Sequence, residues 1–272
     1  MNILTKTVTR KIKKRAAWAT IIFPMLLASG CGATDNDKFT LKTAMPANFK
    51  LEADGYYIPA TAQECKAPWT RRKYVADRES STSGTKDSDY TAVLHIPLKV
   101  IAGDCPLILG GLKLDIEGKW GPGMWDVDGV KASISIRDKD PGDSEKLVST
   151  ESTILNGECQ WFFRTMGPKR FLAKVMKCSA IDKNGQVLKY SPGGSIQRDK
   201  LPGQTINMSI RLADTEKPYY KGFWFKAAAG GWKPCDANWG RDMEEECLTP
   251  PKFKNFIMPD GRDCSVYPTC TE

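Results

Sequence analysis

The sequence predicts an all-β fold, an antiparallel β-sandwich or an open barrel. Short runs of alternating apolar and polar residues recur along the chain, with turns rich in Gly and Pro between them and no long amphipathic helix. Asn184-Gly185 lies between two such runs, and this dipeptide is a strong hairpin signal. Several short strands spaced in this way favour sheets that pack face to face.

The strand candidates follow one another along the chain. Alternation or β-branched content predicts strands at 92–101, 112–117, 130–136, 171–181, 187–190, 205–212 and 222–226. Pro97 in the first run indicates an edge strand or a bulge, because proline has no N–H to give to a central ladder. Residues 76–91 are rich in Ser, Thr, Asp, Lys and Gly and predict a loop.

The C-terminal part of the chain has a different composition. From about residue 230 the sequence is rich in loop formers and contains Trp232, Trp239 and four cysteines. This pattern predicts an irregular segment that disulfides hold against the β domain. We therefore expect a single β-rich domain over residues 41–272, with this Cys-rich extension as part of it.

Length and composition place the chain among globular proteins. Of its 272 residues, 41% are hydrophobic and 26% are charged, which is ordinary for a globular domain. The formal net charge is +8, but six of the 40 basic residues lie in residues 1–30, which hold no acid. The remainder has 34 basic and 32 acidic residues. This balance does not predict nucleic-acid binding, which needs a basic surface on the folded domain.

The N-terminus has the pattern of an export signal. A basic stretch that ends at Arg15 is followed by an apolar run over residues 16–27, too short for a membrane-spanning anchor. The run leads into Leu27-Ala-Ser-Gly-Cys31, which resembles the bacterial lipobox, with Ala28 where leucine is commonest. The resemblance implies that residues 1–30 are a lipoprotein signal peptide. It also implies that Cys31 carries a diacylglycerol and a third acyl chain, such as palmitate, as a membrane anchor.

The residue after the lipobox cysteine bears on location. It is Gly32 and not Asp, and the resemblance to enterobacterial sorting then implies the outer membrane, with the domain facing the periplasm. We expect residues 31–40 to be a tether between the lipid and the domain.

The cysteine count agrees with an oxidising compartment. With Cys31 assigned to lipid, an even number remains, which predicts up to four disulfides. Cys159 with Cys178 across a hairpin is the simplest pair, and the last four cysteines are expected to pair among themselves. Since no Cys-x-x-Cys occurs, a metal site is not predicted. The disulfide candidates are Cys65, Cys105, Cys159, Cys178, Cys235, Cys247, Cys264 and Cys270.

No catalytic or cofactor motif emerges from the polar residues. His95, the one histidine, alternates with Leu94 and Ile96 and is expected to face solvent or a polar crevice. No Gly-x-Ser-x-Gly turn supplies a nucleophile. Asp115 and Glu117 share one face of a strand, as the paired carboxylates of a glycosidase might. Any solvated strand face gives the same spacing, so the pair does not predict catalysis. We therefore expect neither an enzyme nor a bound cofactor.

Two short acidic motifs have closely spaced aspartates, as calcium loops do. They are Asp126-Val-Asp128-Gly129 and the run from Asp138 to Asp143. Neither has oxygen ligands at alternating positions followed by a late Glu, so neither predicts a calcium site.

The aromatic residues offer a stronger candidate. Trp120-Gly-Pro-Gly-Met-Trp125 places two tryptophans and a methionine on a Gly/Pro loop. Tryptophan on a rigid loop is a common interface anchor, because it buries a large area with little loss of entropy. The alternative is that the rings cover the end of the core, which is the preferred interpretation for Trp161–Phe163. We expect Trp120, Met124 and Trp125 to bind a partner.

In general layout the chain resembles the lipoprotein immunity proteins with which bacteria neutralise toxins. The similarity is to those directed against phospholipase effectors that the type VI secretion system delivers to the periplasm. It rests on the lipobox at Leu27–Cys31, the length, the all-β pattern and the cysteine content. It implies that the protein partner is a toxin, and that the loop Trp120–Trp125 occludes the entrance to the toxin's active site. The alternative is a structural or accessory lipoprotein of a secretion or outer-membrane assembly.

Overall fold

The computed structural model describes residues 37–60, 85–103, 105–138, 155–228, 230–236, 247 and 250–271. These residues belong to one compact unit, Thr34–Glu272. The other unit, Met1–Ala33, contains the predicted signal peptide and Cys31 and lies outside the described residues. The signal peptide and the lipid anchor therefore stay predictions.

The described chain is all-β, which confirms the predicted fold class. Apart from the 3-10 conformation of Asp37, the helical part of the described ranges is a single 3-10 turn at Arg198–Lys200. The strands are β1 (Lys38–Met45), β2 (Phe49–Pro59), β3 (Tyr90–Pro97), β4 (Lys99–Ala102), β5 (Cys105–Lys119), β6 (Val127–Arg137), β7 (Gly157–Met166), β8 (Phe171–Ala180), β9 (Gly193–Gln197), β10 (Thr205–Leu212), β11 (Lys217–Pro218), β12 (Trp224–Lys226), β13 (Trp232–Pro234), β14 (Phe256–Ile257) and β15 (Asp263–Cys264).

The fold includes a curled sheet that forms a half-barrel, and the larger of its main sheets has eight strands. Its order is β15-β14-β8-β7-β10-β1-β3, and β11 pairs with the second half of β7. β7 and β8 form an antiparallel hairpin, whereas β10 is parallel to both β1 and β7. Parallel pairing joins strands that are distant in sequence, since it needs a long connection. The sheet is therefore mixed, with antiparallel hairpins.

The smaller sheet has five strands in the order β2-β5-β6-β9, with β4 also paired to β5. β5 is 15 residues long and is antiparallel to β2, β4 and β6. β9 adds to β6 in parallel, starting at Gly193. Gly193 has a φ of +133°, and a Cβ there would lie 2.0 Å from the carbonyl oxygen of Ser133. Only glycine fits this position.

The chain passes between the two sheets at two short corners. β1 belongs to the larger sheet and β2 to the smaller one, with only residues 46–48 between them. β3 is the edge strand of the larger sheet and ends at Pro97, after which β4 joins the smaller sheet. Pro97 thus lies at an edge, as predicted, and the predicted run 92–101 is divided into two strands.

The main core lies between the two sheets and is largely aliphatic. Leu41 of β1, Leu51 of β2 and Leu114 of β5 are fully buried in it. Trp161 of β7 joins the same core, as expected for this aromatic run. Alternation with a period of two brings these side chains to one face of each strand.

A second cluster lies apart from the main core and is mostly aromatic. Its centre is Phe163, whose ring centroid lies 4.8 Å from that of Trp224 and 4.5 Å from that of Tyr267. The described residues from 230 onward thus pack on the β domain with little regular structure, as the composition predicts. The buried members are Phe163, Leu172, Trp224, Phe256, Cys264, Tyr267 and Cys270.

Several boundaries differ from the sequence-based expectation. β1 begins at Lys38 and Phe39 is buried, so the tether predicted to end at residue 40 is wrong for its last three residues. Tyr90 and Thr91, expected in a loop, belong to β3. The predicted strand at 187–190 is reduced to an isolated bridge between Ile181 and Val187. The Asn184-Gly185 turn itself is present, with a positive φ at Gly185.

The strand register gives the domain two opposite ends. At the entry end, where β1 begins, Lys38 O accepts a hydrogen bond from Gly203 N. At the hairpin end, where β1 finishes and β5 reaches its last residue, Lys119 N donates to Asn48 O over 2.9 Å. The eight residues of β1 separate these ends by about 23 Å.

Candidate partner-binding site

The loop between β5 and β6 is closed by the aspartate that follows its second tryptophan. Asp126 Oδ2 accepts a hydrogen bond from Gly123 N over 2.8 Å, and Asp126 O accepts one from Trp120 N over 2.9 Å. A Cβ at Gly121 would lie 2.5 Å from Asp126 Oδ2. A side chain at Gly121 would therefore displace the carboxylate that closes the loop.

Two of the three predicted binding residues point into solvent. Met124 is 75% exposed and Trp125 is 83% exposed, although both are large and apolar. Neighbouring Pro122 is also exposed. The closed loop thus presents a small apolar tip, named here the first tip (residues 122–125).

Trp120 has a different environment from Met124 and Trp125. It is only partly exposed and packs against the main core. Its Nε1 is buried and has no hydrogen-bond partner among the described residues. Lys174 Nζ lies 5.3 Å from the centroid of its ring, within the range of a cation–π contact. Trp120 is therefore the base of the loop rather than part of its tip.

Lys174 joins this base to the C-terminal segment. Its Nζ lies 2.6 Å from Glu216 Oε1, and Tyr267 donates a hydrogen bond from its hydroxyl to Glu216 Oε2. Burial, together with the Glu216 carboxylate, raises the pKa of Tyr267 well above its ordinary value near 10. The four side chains connect the loop, β8 and the second cluster.

Asp128 holds the start of β6 against β8. Its Oδ1 accepts from Gly129 N over 2.9 Å, and its Oδ2 accepts from Met176 N over 2.7 Å. One carboxylate thus satisfies the backbone of strands from both sheets just below the loop. Since these bonds fix the start of β6, they also fix the direction of the first tip.

The sequence gives only a weak signal for these supporting residues. Lys174 lies in register with Leu172 and Met176, both buried, so it is a charge on the core-facing side of a strand. A charge at such a position needs a partner. Neither Glu216 nor Tyr267 could be assigned as that partner, because they come from distant parts of the chain.

The other polar candidates do not gather into a site. His95 is exposed, as predicted, and its Nδ1 lies 3.1 Å from Thr40 Oγ1. Asp115 pairs with Lys131 over 2.8 Å, and Glu117 is exposed on the same strand. These are the contacts of a solvated sheet face.

The acidic motifs make no ion site in the part of the chain that the structure describes. Asp126 and Asp128 direct their carboxylates to backbone N–H groups, and Asp138 Oδ1 lies 2.5 Å from Arg198 Nε. In the described ranges no cluster of three or more His, Cys, Asp or Glu side chains is arranged to hold a metal. Residues 139–143 lie outside those ranges.

Three disulfides join described cysteines. Cys159 pairs with Cys178 between facing positions of β7 and β8, which is the predicted pair. The last four cysteines pair among themselves, as predicted, as Cys235–Cys247 and Cys264–Cys270. Cys105 is also disulfide-bonded. Cys31 and Cys65 lie outside the described residues.

Comparison of the chain with protein-family models, with curated proteins and with solved structures finds no match in any of the three. Within the described residues, no helix has the length and apolar character needed to span a membrane. The interpretation of the site therefore rests on its own geometry.

Proposed function

We propose that this chain is a lipid-anchored envelope protein that neutralises a toxin by binding and not by catalysis. The toxin is a phospholipase-type effector that reaches the periplasm, and the first tip covers the entrance to its active site. Cys31 carries the anchor, which holds the domain at the outer membrane on the periplasmic face.

The observation that carries the proposal is the exposure of Met124 and Trp125 on a closed loop. A loop that is already ordered loses little entropy on binding, so the buried area of its tip adds directly to affinity. Tryptophan is among the residues that most often dominate binding energy. Asp126 and Asp128 supply the order that this mechanism needs.

The first tip lies far from the start of the first described strand. β1 begins at the entry end, whereas the first tip lies beyond the hairpin end. Met124 and Trp125 are therefore at the end of the domain opposite to the start of β1.

The chemistry of the tip suits a phospholipase. Such an enzyme admits acyl chains, so its active-site entrance has an apolar lining. A methionine and a tryptophan side by side offer an apolar, adaptable surface to such an entrance. The described residues near the tip form no catalytic constellation of their own.

The test uses full-length tagged protein, processed in its own cell and purified in detergent from native envelope and secretion fractions. The wild type is expected to capture one hydrolase at one-to-one stoichiometry and to abolish its activity. The double substitution Met124→Ser and Trp125→Ser is expected to weaken that complex by at least about 100-fold, since each of two central anchors contributes roughly 2 kcal/mol or more.

Ile101→Ser is the matched control. Ile101 is 77% exposed and Met124 is 75% exposed, but Ile101 lies on β4, opposite Pro106 at the beginning of β5. It is expected to leave both capture and inhibition unchanged. Equal affinity of the double variant and the wild type would refute the assignment of the tip. Recovery of envelope scaffold proteins or self-assemblies alone would favour a structural lipoprotein.

A further inference from the structure

The β7–β8 hairpin ends in a second exposed apolar pair. Met166 and Phe171 face each other as the last pair of that ladder and are 47% and 48% exposed. Residues 167–170 form the turn between them. This group, Met166 and Phe171 with the turn, is named here the second tip.

The register places the second tip at the same end of the domain as the first. Met176 of β8 is bound to Asp128, below the first tip, and Lys174 lies against Trp120 at its base. Phe171 follows three residues further along the same strand, which is about 10 Å beyond the base. Both hairpins therefore extend in one direction past the contacts that join them.

Two exposed lysines at this end have no ion-pair partner among the described residues. Asp126 and Asp128 are bound to backbone N–H groups. Lys119 and Lys169 are exposed, and neither forms an ion pair with any described residue. This end of the domain thus combines the two apolar tips with lysines that have no carboxylate partner in the described ranges.

We infer that the two tips form one binding surface, and that the partner meets it with two apolar depressions bordered by acidic side chains. This inference rests on the proposed function, because it assigns the second tip to the same toxin. The occupant is a protein with acidic side chains, because Lys119 and Lys169 have no carboxylate partner in the described ranges. The lysines accelerate association with an acidic rim, and the apolar pairs lower the dissociation rate.

The test places a photo-crosslinking amino acid at one position of the full-length protein in its native cell. The positions are Trp125, Phe171 and, as control, Ile101. The same protein partner is expected to crosslink from Trp125 and Phe171 and not from Ile101. All three positions are exposed, so the substitutions do not disturb the core.

The outcomes separate the inference from the proposed function. A partner crosslinked from Trp125 but not from Phe171 overturns the second tip and leaves the proposed function standing. Crosslinks to phospholipid from both positions overturn the protein partner and indicate a membrane-binding end. Crosslinks from none of the positions refute the inference and the proposed function together.

Affinity measurements with the crosslinked partner, purified, sharpen the result. Met166→Ser with Phe171→Ser is expected to weaken binding about tenfold, mainly through faster dissociation. Lys119→Glu with Lys169→Glu is expected to slow association at least about tenfold at low salt and to lose that effect at high salt. Lys183→Glu with Lys189→Glu, exposed lysines beyond the other end of β8, is the charge control and should change neither rate. An unchanged association rate in the first lysine variant would overturn the acidic rim.

Discussion

The main core and the second cluster are stabilised in different ways. In the main core, long paired strands from two sheets bury mainly aliphatic side chains, and the ladders themselves hold the structure. In the second cluster, Phe163 and Leu172 come from β7 and β8, but the C-terminal strands that pack on them have only two or three residues, so packed aromatic rings and a disulfide hold that segment. The hairpins that carry the two tips therefore have two supports: their buried side chains in the main core, and the contacts of Lys174 with Glu216 and of Glu216 with Tyr267 that join them to the second cluster.

The largest expected effects on stability come from removing one buried side chain in each region. Leu114→Ala removes a fully buried side chain of the main core and should lower global stability by about 2–5 kcal/mol. Phe163→Ala removes the centre of the second cluster, where about 3–5 kcal/mol is expected. Hydrogen exchange should show loss of protection everywhere for Leu114→Ala, but mainly in residues 220–271 for Phe163→Ala. A uniform loss in both variants would mean that the regions unfold as one.

The next effect concerns the staple of the second cluster. Cys264→Ser with Cys270→Ser opens a disulfide that closes a short loop around Tyr267. The chain-entropy argument gives about 2 kcal/mol for a loop of this size. Few backbone hydrogen bonds in this segment remain to compensate for the loss of the disulfide. Denaturation followed by tryptophan fluorescence should show an early transition, with Trp224 in the cluster and Trp161 in the main core as reporters. The matched pair Cys159→Ser with Cys178→Ser should not produce that early transition, because the β7–β8 ladder remains.

The same contrast explains what could be predicted from the sequence. β10 matches its predicted bounds, and β5, β6 and β8 were located by their alternation. β7 was not, because its aromatic run is apolar on both faces: Phe163 is buried, and Phe162 on the other face contacts Tyr219. Alternation of hydrophobicity disappears when both sides of a strand are covered.

The candidate site was predictable only in part. The sequence identified a loop with Met124 and Trp125, because Gly, Pro and large apolar residues occur together there. It could not separate Trp120 from them, since that distinction depends on Lys174, and the contact between the two arises only in the fold. The second tip had no local signal, because nothing in the sequence brings two hairpins to one end.

The smallest expected effect tests the link between the two regions and depends on pH. Tyr267→Phe removes the hydroxyl that donates to Glu216, and should lower stability at pH 9 by about 1 kcal/mol. The pKa of Tyr267 is raised in the folded state, because burial and the Glu216 carboxylate disfavour the phenolate. Its contribution is therefore complete below the unfolded pKa near 10 and is lost as the pH rises above it.

The free energies of unfolding of the wild type and the Tyr267→Phe variant should consequently converge and then cross as the pH increases. The unfolded wild type ionises at Tyr267 above pH 10 while the folded protein does not, which lowers its stability by about 1.4 kcal/mol for each further pH unit. The phenylalanine variant lacks this term, so at pH 11.5 it should be the more stable of the two. Guanidinium unfolding of both proteins at pH 9, 10, 11 and 11.5 measures the difference, and the effect of all other tyrosines cancels. A constant difference across this range would show that the Tyr267 hydroxyl is open to solvent and does not link the second cluster to the loop.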